Sequence, residues 1–175
     1  GLFHSTMTAP LLKFRRAAPD VAIHLHDLTS TEQAKALVDG KLDAGLIGFA
    51  YEADAARLSK KQIGTCQFLA ALPKDHWLSR KMRVDVADLA NERFLMISEE
   101  GFPGAAHVMM DACKKAGFKP KVVQMPARGH TILGLVAAST GVALIPEPLA
   151  ALPHKGVDLR TLSSPLTSDL YIAWD

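Results

Sequence analysis

The stretch LVAASTGVALIP, residues 135–146, is the feature that most constrains the fold. The residues LVAA at 135–138 favour a helix, and Gly141 offers a left-handed stop. The apolar run VALI at 142–145 follows, and Pro146 prevents its continuation. An apolar helix one short turn ahead of an apolar strand is typical of a layered domain in which helices cover a sheet. We therefore expect VALI to be a central strand, with the preceding helix lying against its sheet.

Helices and strands alternate along the rest of the chain. Apolar spacing and capping residues predict helices at 7–18, 30–38, 105–116 and 131–139, with one helical turn at 85–89. Short apolar or alternating runs predict strands at 21–28, 42–48, 66–73, 93–97, 121–125, 142–145 and 169–174. Ser30 followed by Gln33 predicts a capping box. This alternation indicates an α/β fold built from βαβ units with mainly parallel sheets.

A repeated pattern suggests two lobes. A helix, a glycine and an apolar strand occur in that order at 30–48 and again at 131–145. The first block would build one sheet and the middle of the chain another. The strands around 66–73 and after Pro146 would carry the chain from one lobe to the other and back.

Composition excludes several classes of function. Apolar residues make up 49% of the chain, charged residues 22%, and the net charge of +2 comes from scattered basic residues. That charge is too small and too dispersed for a nucleic-acid-binding face. Cys66 and Cys113 belong to no CxxC or metal-type spacing, so we expect buried thiols. No apolar run is long enough for a membrane span and no signal peptide is visible, so we expect a cytoplasmic protein.

Motifs of catalysis or cofactor binding are missing. The sequence contains no GxGxxG, GxxxxGK[ST], GxSxG or HExxH. His24 and His26 share one face of a predicted strand, but no third ligand has a suitable spacing, so we expect no metal and no cofactor. Asp85 and Asp88 are expected to cap or solvate their helical turn.

Small polar residues mark the starts of four helices. They lie in HSTMT (4–8), TST (29–31), SEEGFPG (98–104) and RGHT (128–131). Helix starts that follow strand ends converge on one crevice in an open α/β sheet, where free N–H groups and hydroxyls suit an anion. Each segment taken alone is equally compatible with plain N-capping. Together they predict a two-lobed protein that binds a small anion.

Three segments resemble one family. LLKFRRAAPDVAIHLHDLTSTEQAKALVDGKLDAGLIG looks like the first segment of the effector-binding domain of LysR-type transcriptional regulators. ALPKDHWLSRKMRVDVADLANERFLMI is similar to the family's crossover strand, its LP-x-x-H-x-L turn and its DL helix. GLVAASTGVALIP resembles the LVAAG-x-G-V-A-L-V-P signature, with Ser139 where glycine is usual.

The resemblance implies a fold like the type 2 periplasmic binding proteins, with two Rossmann-like lobes and a central cleft. Lobe I would comprise residues 1–67 and 148–175, and lobe II residues 68–147. The family also implies a homodimer of antiparallel, side-by-side lobes, possibly a tetramer in the full-length protein. DNA would be contacted only through an N-terminal winged helix-turn-helix that is not in this chain. The segment before Phe14 is shorter than the family usually has, so either the first strand is cut away or residues are missing from the first loop. The stop at Asp175, where the family usually continues into a final helix, suggests truncation there.

The same resemblance assigns effector contacts by position. They would come from the four polar segments and from the end of the LDAGLIG strand. The predicted ligand-binding residues are Ser5, Thr6, Thr8, Ser30, Thr31, Gly48, Ser98, Gly101, Phe102, Arg128, His130 and Thr131. Arg128 could pair with a ligand carboxylate or form a surface salt bridge, and His130 could bind ligand or cap its helix.

The leading interpretation is a non-enzymatic sensor. A small organic acid or similar anion would enter the cleft, shift the populations of lobe arrangements and alter distant DNA contacts. A transport-type solute-binding protein shares the fold but should carry a secretion signal. An enzyme on the same fold would need an acid/base pair, which the sequence does not reveal.

Overall fold

A computed structural model describes residues 7–48, 57–98 and 105–175 of the chain. The helices are α1 (Thr8–Ala17), α2 (Ser30–Val38), α3 (Ala105–Lys115) and α4 (Gly129–Ala137). The strands are β1 (Gly45–Gly48), β2 (Ser59–Pro73), β3 (Arg83–Val84), β4 (Arg93–Leu95), β5 (Lys121–Gln124), β6 (Val142–Pro146), β7 (Val157–Leu162) and β8 (Thr167–Trp174). Short 3-10 helices lie at Trp77–Arg80, Val86–Leu89 and Glu147–Ala151. No helix in these ranges is long and apolar enough to cross a membrane.

The long strand β2 organises the sheet. Its 15 residues pair with β8 over the first part and with β6 and β7 over the second. The strand order is β1-β8-β2-β6-β4-β5, with β7 pairing to β2 and β3. All five residues of β6 are buried, and α4 buries Ile132, Leu133 and Val136. The prediction that VALI is a central strand is confirmed.

The expectation of mainly parallel sheets is wrong. β4 is parallel to β5 and β6, and β3 is parallel to β7. β2, however, runs antiparallel to β6, β7 and β8, and β1 runs antiparallel to β8. The reason is the crossover: β7 and β8 bring the chain back along the strand on which it left, so their direction is reversed. Alternation of helices and strands does not reveal this return.

The strand predicted at 21–28 is also wrong. These residues form no ladder with any part of the chain that the structure describes, although their side chains alternate in polarity. A strand needs a neighbour that supplies the other half of its hydrogen bonds, and alternation alone does not provide one. The segment instead runs over the surface toward the start of α2, and most of its side chains are exposed.

The predicted role of Gly141 is corrected as well. The left-handed residue after α4 is Ser139, with φ of 56°, whereas Gly141 has no positive φ. A Cβ at position 141 would collide with the carbonyl oxygen of Arg93. Gly141 is therefore needed for the close approach of the chain before β6 to the start of β4, not for a left-handed stop. The stop predicted at Gly40 is present, with φ of 65°.

Two hydrophobic clusters fill the interior. The large cluster consists of buried side chains of β2 from Phe68 onward, β4, β6, α3 and α4, together with Leu149 and neighbouring turns. The small cluster consists of Ala34, Leu37, Ile47, Leu58 and Ala173, with Leu42 packed against it. The division into residues 1–67 with 148–175 and 68–147 stays a prediction. Strand pairing adds that β7, which belongs to residues 148–175, pairs with the same strand β2 that pairs with β6.

Candidate functional site

A cavity of about 370 Å³ lies between the start of α2 and the start of α4. Residues from both lobes of the predicted division line it. They are Met7, His24 to Ser30, Gln33, Leu42, Ala44 to Leu46, Ala127 to His130, Leu149, Leu152 and Ile172. Its volume falls in the range of small-molecule sites.

The cap of α2 lies one residue before the predicted position. Thr29 has an extended backbone, and its Oγ1 accepts a hydrogen bond from Glu32 N at 3.3 Å. Thr29 N donates to Glu32 Oε2 at 2.7 Å, which completes a capping box. The predicted pair of Ser30 and Gln33 is therefore wrong, because Thr29 is the last residue before the helical conformation begins. Ser30 becomes the first residue of α2 and is released from capping.

Ser30 is the buried polar residue of this cavity. Only 6% of its surface is exposed, and its side chain makes no hydrogen bond with any described residue. Because Ser30 lines the cavity, its hydroxyl can form a hydrogen bond with a molecule that binds there.

Gln33 holds the cavity wall together. Its Nε2 donates to Leu28 O at 3.0 Å, and its Oε1 accepts from Leu46 N at 2.8 Å. This side chain thus links the segment before α2 to β1. A Cβ at Gly45 would lie 2.9 Å from Gln33 Oε1, so the glycine makes room for the link. Sequence reasoning assigned Gln33 to the cap, and the glycine just before an apolar strand was the available signal of a close approach.

The start of α4, which the predicted division assigns to lobe II, also faces the cavity. Arg128 occupies the N-cap position without a side-chain capping hydrogen bond, and the side chains of Arg128 and His130 are exposed at the cavity wall. Hydrogen bonds with Thr29 hold the pKa of the Glu32 carboxyl below its usual value, and the positive charge of Arg128 adds to this effect. Arg128 forms no ion pair with a described acidic residue.

The structure brings together some of the predicted ligand residues and not others. Ser30, Arg128 and His130 line the cavity. Four other predicted residues do not line the cavity. Thr31 and Thr131 are exposed on α2 and α4, each one residue after a lining residue. Thr8 begins α1 one residue after the lining Met7, and Gly48 ends β1. Ser98 follows β4 with a buried hydroxyl that has no hydrogen-bond partner, also away from the cavity wall. Ser5, Thr6, Gly101 and Phe102 lie outside the described residues.

Sequence reasoning missed the apolar part of the wall. Leu149 and Leu152 come from the 3-10 helix that follows β6 and from the residue after it, and Ile172 comes from β8. These residues lie far along the chain from the polar segments, and an apolar residue in a turn carries no signal of a ligand. The wall therefore combines polar helix starts with leucine and isoleucine side chains.

Other titratable groups serve the scaffold. Asp85 Oδ1 accepts from Ala87 N, Asp88 Oδ2 accepts from Asp85 N, and Lys81 Nζ bonds Asp88, which confirms the predicted capping role. Cys66 and Cys113 are buried, as predicted; burial raises the pKa of both thiols, that of Cys113 to about 11. Within the described ranges, no group of three or more His, Cys, Asp or Glu residues is placed to hold a metal ion.

Known proteins that resemble this chain in sequence include transcriptional regulators. The LysR substrate binding domain family matches residues 2–175. The chain is 28% identical over 150 residues to the HTH-type transcriptional regulator AlsR of Bacillus subtilis (strain 168), covering 86% of this chain and 49% of that protein. It is 31% identical over 140 residues to the HTH-type transcriptional regulator ShiR of Corynebacterium glutamicum (strain R), covering 78% and 47%. The chain thus spans about half the length of these relatives.

The fold has the same relatives. The BenM effector binding domain with its effector benzoate aligns with a TM-score of 0.83 at 23% identity, covering 99% of this chain and 78% of that one. A BenM variant effector binding domain aligns with a TM-score of 0.85 at 22% identity, covering 99% and 81%. These likenesses confirm the predicted mixed α/β fold of the type 2 periplasmic-binding-protein kind. With the family match over nearly the whole chain, they complete the assignment: the chain belongs to the LysR substrate binding domain family and is an effector-binding domain of a LysR-type transcriptional regulator.

Proposed function

We propose that the cavity binds a small anionic effector, and that Ser30, Arg128 and His130 contact it. The observation that carries the proposal is that Ser30, with 6% of its surface exposed, lines the same cavity as the starts of both α2 and α4. An anionic oxygen in the cavity would accept a hydrogen bond from the Ser30 hydroxyl.

The two helix starts supply the rest of the anion site. The Arg128 side chain makes no capping hydrogen bond, and in the described residues only the later N–H groups of the first turn, Thr131 N and Ile132 N, donate to Arg128 O, which leaves the N–H groups of Gly129 and His130 for a ligand oxygen. The positive ends of the α2 and α4 dipoles reach the same cavity, and the Arg128 guanidinium can pair bidentately with a carboxylate. A carboxylate or a similar oxyanion is the ligand that these donors favour.

The remaining predicted contacts belong to the same proposal. Thr31 and Thr131 lie one residue beyond lining residues on their helices, and Thr8 one residue beyond Met7. A small movement of the lobes toward each other would bring these hydroxyls closer to a bound molecule. Ser5, Thr6, Gly48, Ser98, Gly101 and Phe102 stay predicted contacts that only ligand binding can test.

Calorimetry tests the proposal directly. Titration with succinate, glutamate, butyrate, hexanoate, benzoate and phenylbutyrate should give saturable binding of at least one acid. Ser30→Leu should abolish it, because the larger side chain fills the anion site, and Arg128→Ala should weaken it about tenfold. Lys155→Ala removes a charge away from the cavity and should leave binding unchanged. No binding of any acid, or equal binding by Ser30→Leu, would contradict the proposal.

We propose further that the domain works as a regulator and not as an enzyme or a transport protein. The matched relatives are transcriptional regulators, and the family is a ligand-binding one. In the whole protein, effector binding would shift lobe arrangements and so change DNA contacts made by a separate domain in the cytoplasm. A DNA-binding assay on the full-length protein, with and without the bound acid, tests this role.

Homodimerisation is part of the proposed mechanism. Leu12, Phe14, Val21 and Leu25 are exposed on and just after α1, and Met110, Val122, Val123 and Met125 are exposed on α3 and at β5. Among the strands that the structure describes, β5 is the last of the sheet order, and its outer edge pairs with none of them. In an antiparallel dimer, the α1 patch of each protomer would pack against the α3 and β5 patch of its partner. The two-fold axis would make this contact occur twice. Sedimentation should show a dimer for the wild type and a monomer for Phe14→Glu or Val123→Glu.

A further inference from the structure

Leu149 differs from the other apolar residues of the cavity wall. Only 6% of its surface is exposed, and it belongs to the large cluster, so its side chain is packed from behind by the core. The other wall residues are freer: Leu25 is 60% exposed, and Leu42, Leu152 and Ile172 are half-buried. Leu152 packs against the large cluster and Leu42 against the small one with only part of their surface, whereas Leu149 is almost wholly buried, so a ligand that presses on the wall finds the least room to yield at Leu149.

Gly129 fixes Leu149 from the side. A Cβ at position 129 would lie 2.5 Å from Leu149 Cδ2 and 2.7 Å from Leu149 Cδ1. Both methyl groups therefore occupy the space that any other residue at the first position of α4 would need. The leucine side chain cannot move further toward the helix, because the glycine backbone already bounds it there.

The helix starts and Leu149 together limit the length of a ligand that fits the cavity. The anion donors belong to the starts of α2 and α4, whereas Leu149 lies in the 3-10 helix after β6. A ligand whose anionic group is held at the helix starts must fit its apolar body into the rest of the cavity. The apolar part of the ligand can extend where the side chains of the wall can move. It cannot extend where it meets Leu149.

We infer that Leu149, held by Gly129 and by the core, sets the largest apolar body that an effector of this domain can carry. The inference rests on the proposed anion site and adds the residue that selects among anions by size. It makes Leu149 a specificity residue and Gly129 the positioning residue behind it.

A matched pair of leucine variants tests the inference. The preference of each protein is measured by calorimetry as the ratio of affinities for phenylbutyrate and butyrate, and for hexanoate and butyrate. Leu149→Ala should raise these ratios about tenfold over the wild type, because it removes the fixed part of the wall. Leu152→Ala removes the same group from a wall residue that is only half-buried, and its ratios should stay within about threefold of the wild type. Leu149→Val serves as a milder variant if Leu149→Ala does not fold, with a smaller change in the same direction.

Gly129 provides an independent test of the contact. Gly129→Ala should weaken binding of every acid, since the new methyl group displaces either Leu149 or the start of α4. In the Leu149→Ala background the same change should have little effect, because the methyl groups that it would meet are gone. In the Leu152→Ala background it should weaken binding as much as in the wild type.

The outcomes separate the two proposals. If the wild type binds acids but Leu149→Ala and Leu152→Ala shift the ratios equally, or if Gly129→Ala acts equally in both backgrounds, the size role of Leu149 is overturned and the anion site stands. If no acid binds to the wild type, the anion site fails and the size role falls with it.

Discussion

The large and small clusters differ in how many buried side chains they contain. The large cluster takes side chains from five strands and two helices, and Phe68, Phe94 and Met109 are among its fully buried members. In the part of the chain that the structure describes, the small cluster has five buried residues, two of them alanines. The cavity wall includes Leu149 of the large cluster and Leu42, which packs against the small cluster. Its α4 side is therefore backed by a dense core and its α2 side by a thin one, so we expect the α2 side to yield more easily.

The largest expected effect lies in the large cluster. Phe94 is fully buried and packs near Phe118, with ring centroids 6.0 Å apart. Phe94→Ala should lower the free energy of unfolding by about 3–5 kcal/mol, because the cavity that it leaves cannot collapse in so dense a core. Urea unfolding followed by circular dichroism measures this, and a loss below about 1 kcal/mol would contradict the density that we assign to this cluster.

A smaller loss is expected in the small cluster. Leu37 is fully buried between α2 and the sheet, but it has fewer buried neighbours than Phe94. Leu37→Ala should lower the free energy of unfolding by about 2–3 kcal/mol. Amide hydrogen exchange sharpens the comparison: amides of α2 should exchange faster than those of β6 in the wild type, and Leu37→Ala should accelerate α2 alone. Equal protection of the two elements would remove the difference between the clusters.

The cap of α2 carries the next effect. Thr29→Ala removes the acceptor for Glu32 N and should cost about 1 kcal/mol of stability. Since Ser30 follows directly, the variant should also weaken acid binding. Asp85→Ala, which removes the comparable cap of the Val86–Leu89 turn, is the control: it should lower stability without changing binding. An unchanged affinity in Thr29→Ala would show that the cap does not position the cavity.

The two capping boxes also predict a small acid-side loss of stability. The pKa of Glu32 is lowered by hydrogen bonds with Thr29, and that of Asp88 by its hydrogen bond with Lys81. A lowered pKa in the folded protein means that the stabilisation is present above the ordinary values of 4.5 and 3.8 and is lost as the pH falls through the lowered values. Glu32→Gln should flatten the pH dependence of stability on the acid side of pH 4.5. An unchanged profile would contradict the role of Glu32.

Local sequence patterns predicted the elements but not their partners. The helices at 30–38 and 105–116 were predictable because caps, apolar spacing and glycine stops are contained in a few neighbouring residues. The segment at 21–28 has the pattern of a strand without a described neighbour, and the antiparallel direction of β7 and β8 is set by their pairing with the distant strand β2. Pairing of that kind is set by tertiary structure, which a window of ten residues does not contain.

In the candidate site, too, the residues marked by local sequence were predictable and those placed by long-range contacts were not. Ser30, Arg128 and His130 stand at helix starts, which a sequence marks clearly, and they do line the cavity. Gln33 and Leu149 were not predictable, because their roles come from contacts with Leu46 and Gly129, at 13 and 20 positions along the chain. Only the glycines at 45 and 129 hinted at close approaches, and glycine alone does not say what approaches it.

The most direct test of the central claim is a nuclear magnetic resonance titration of the labelled domain with benzoate, hexanoate and succinate. If a carboxylate binds between the helix starts, the largest amide shifts should fall on Ser30, Gly129 and His130, and they should vanish in Ser30→Leu. Shifts that persist in that variant, or that fall on residues away from the cavity, would contradict the account.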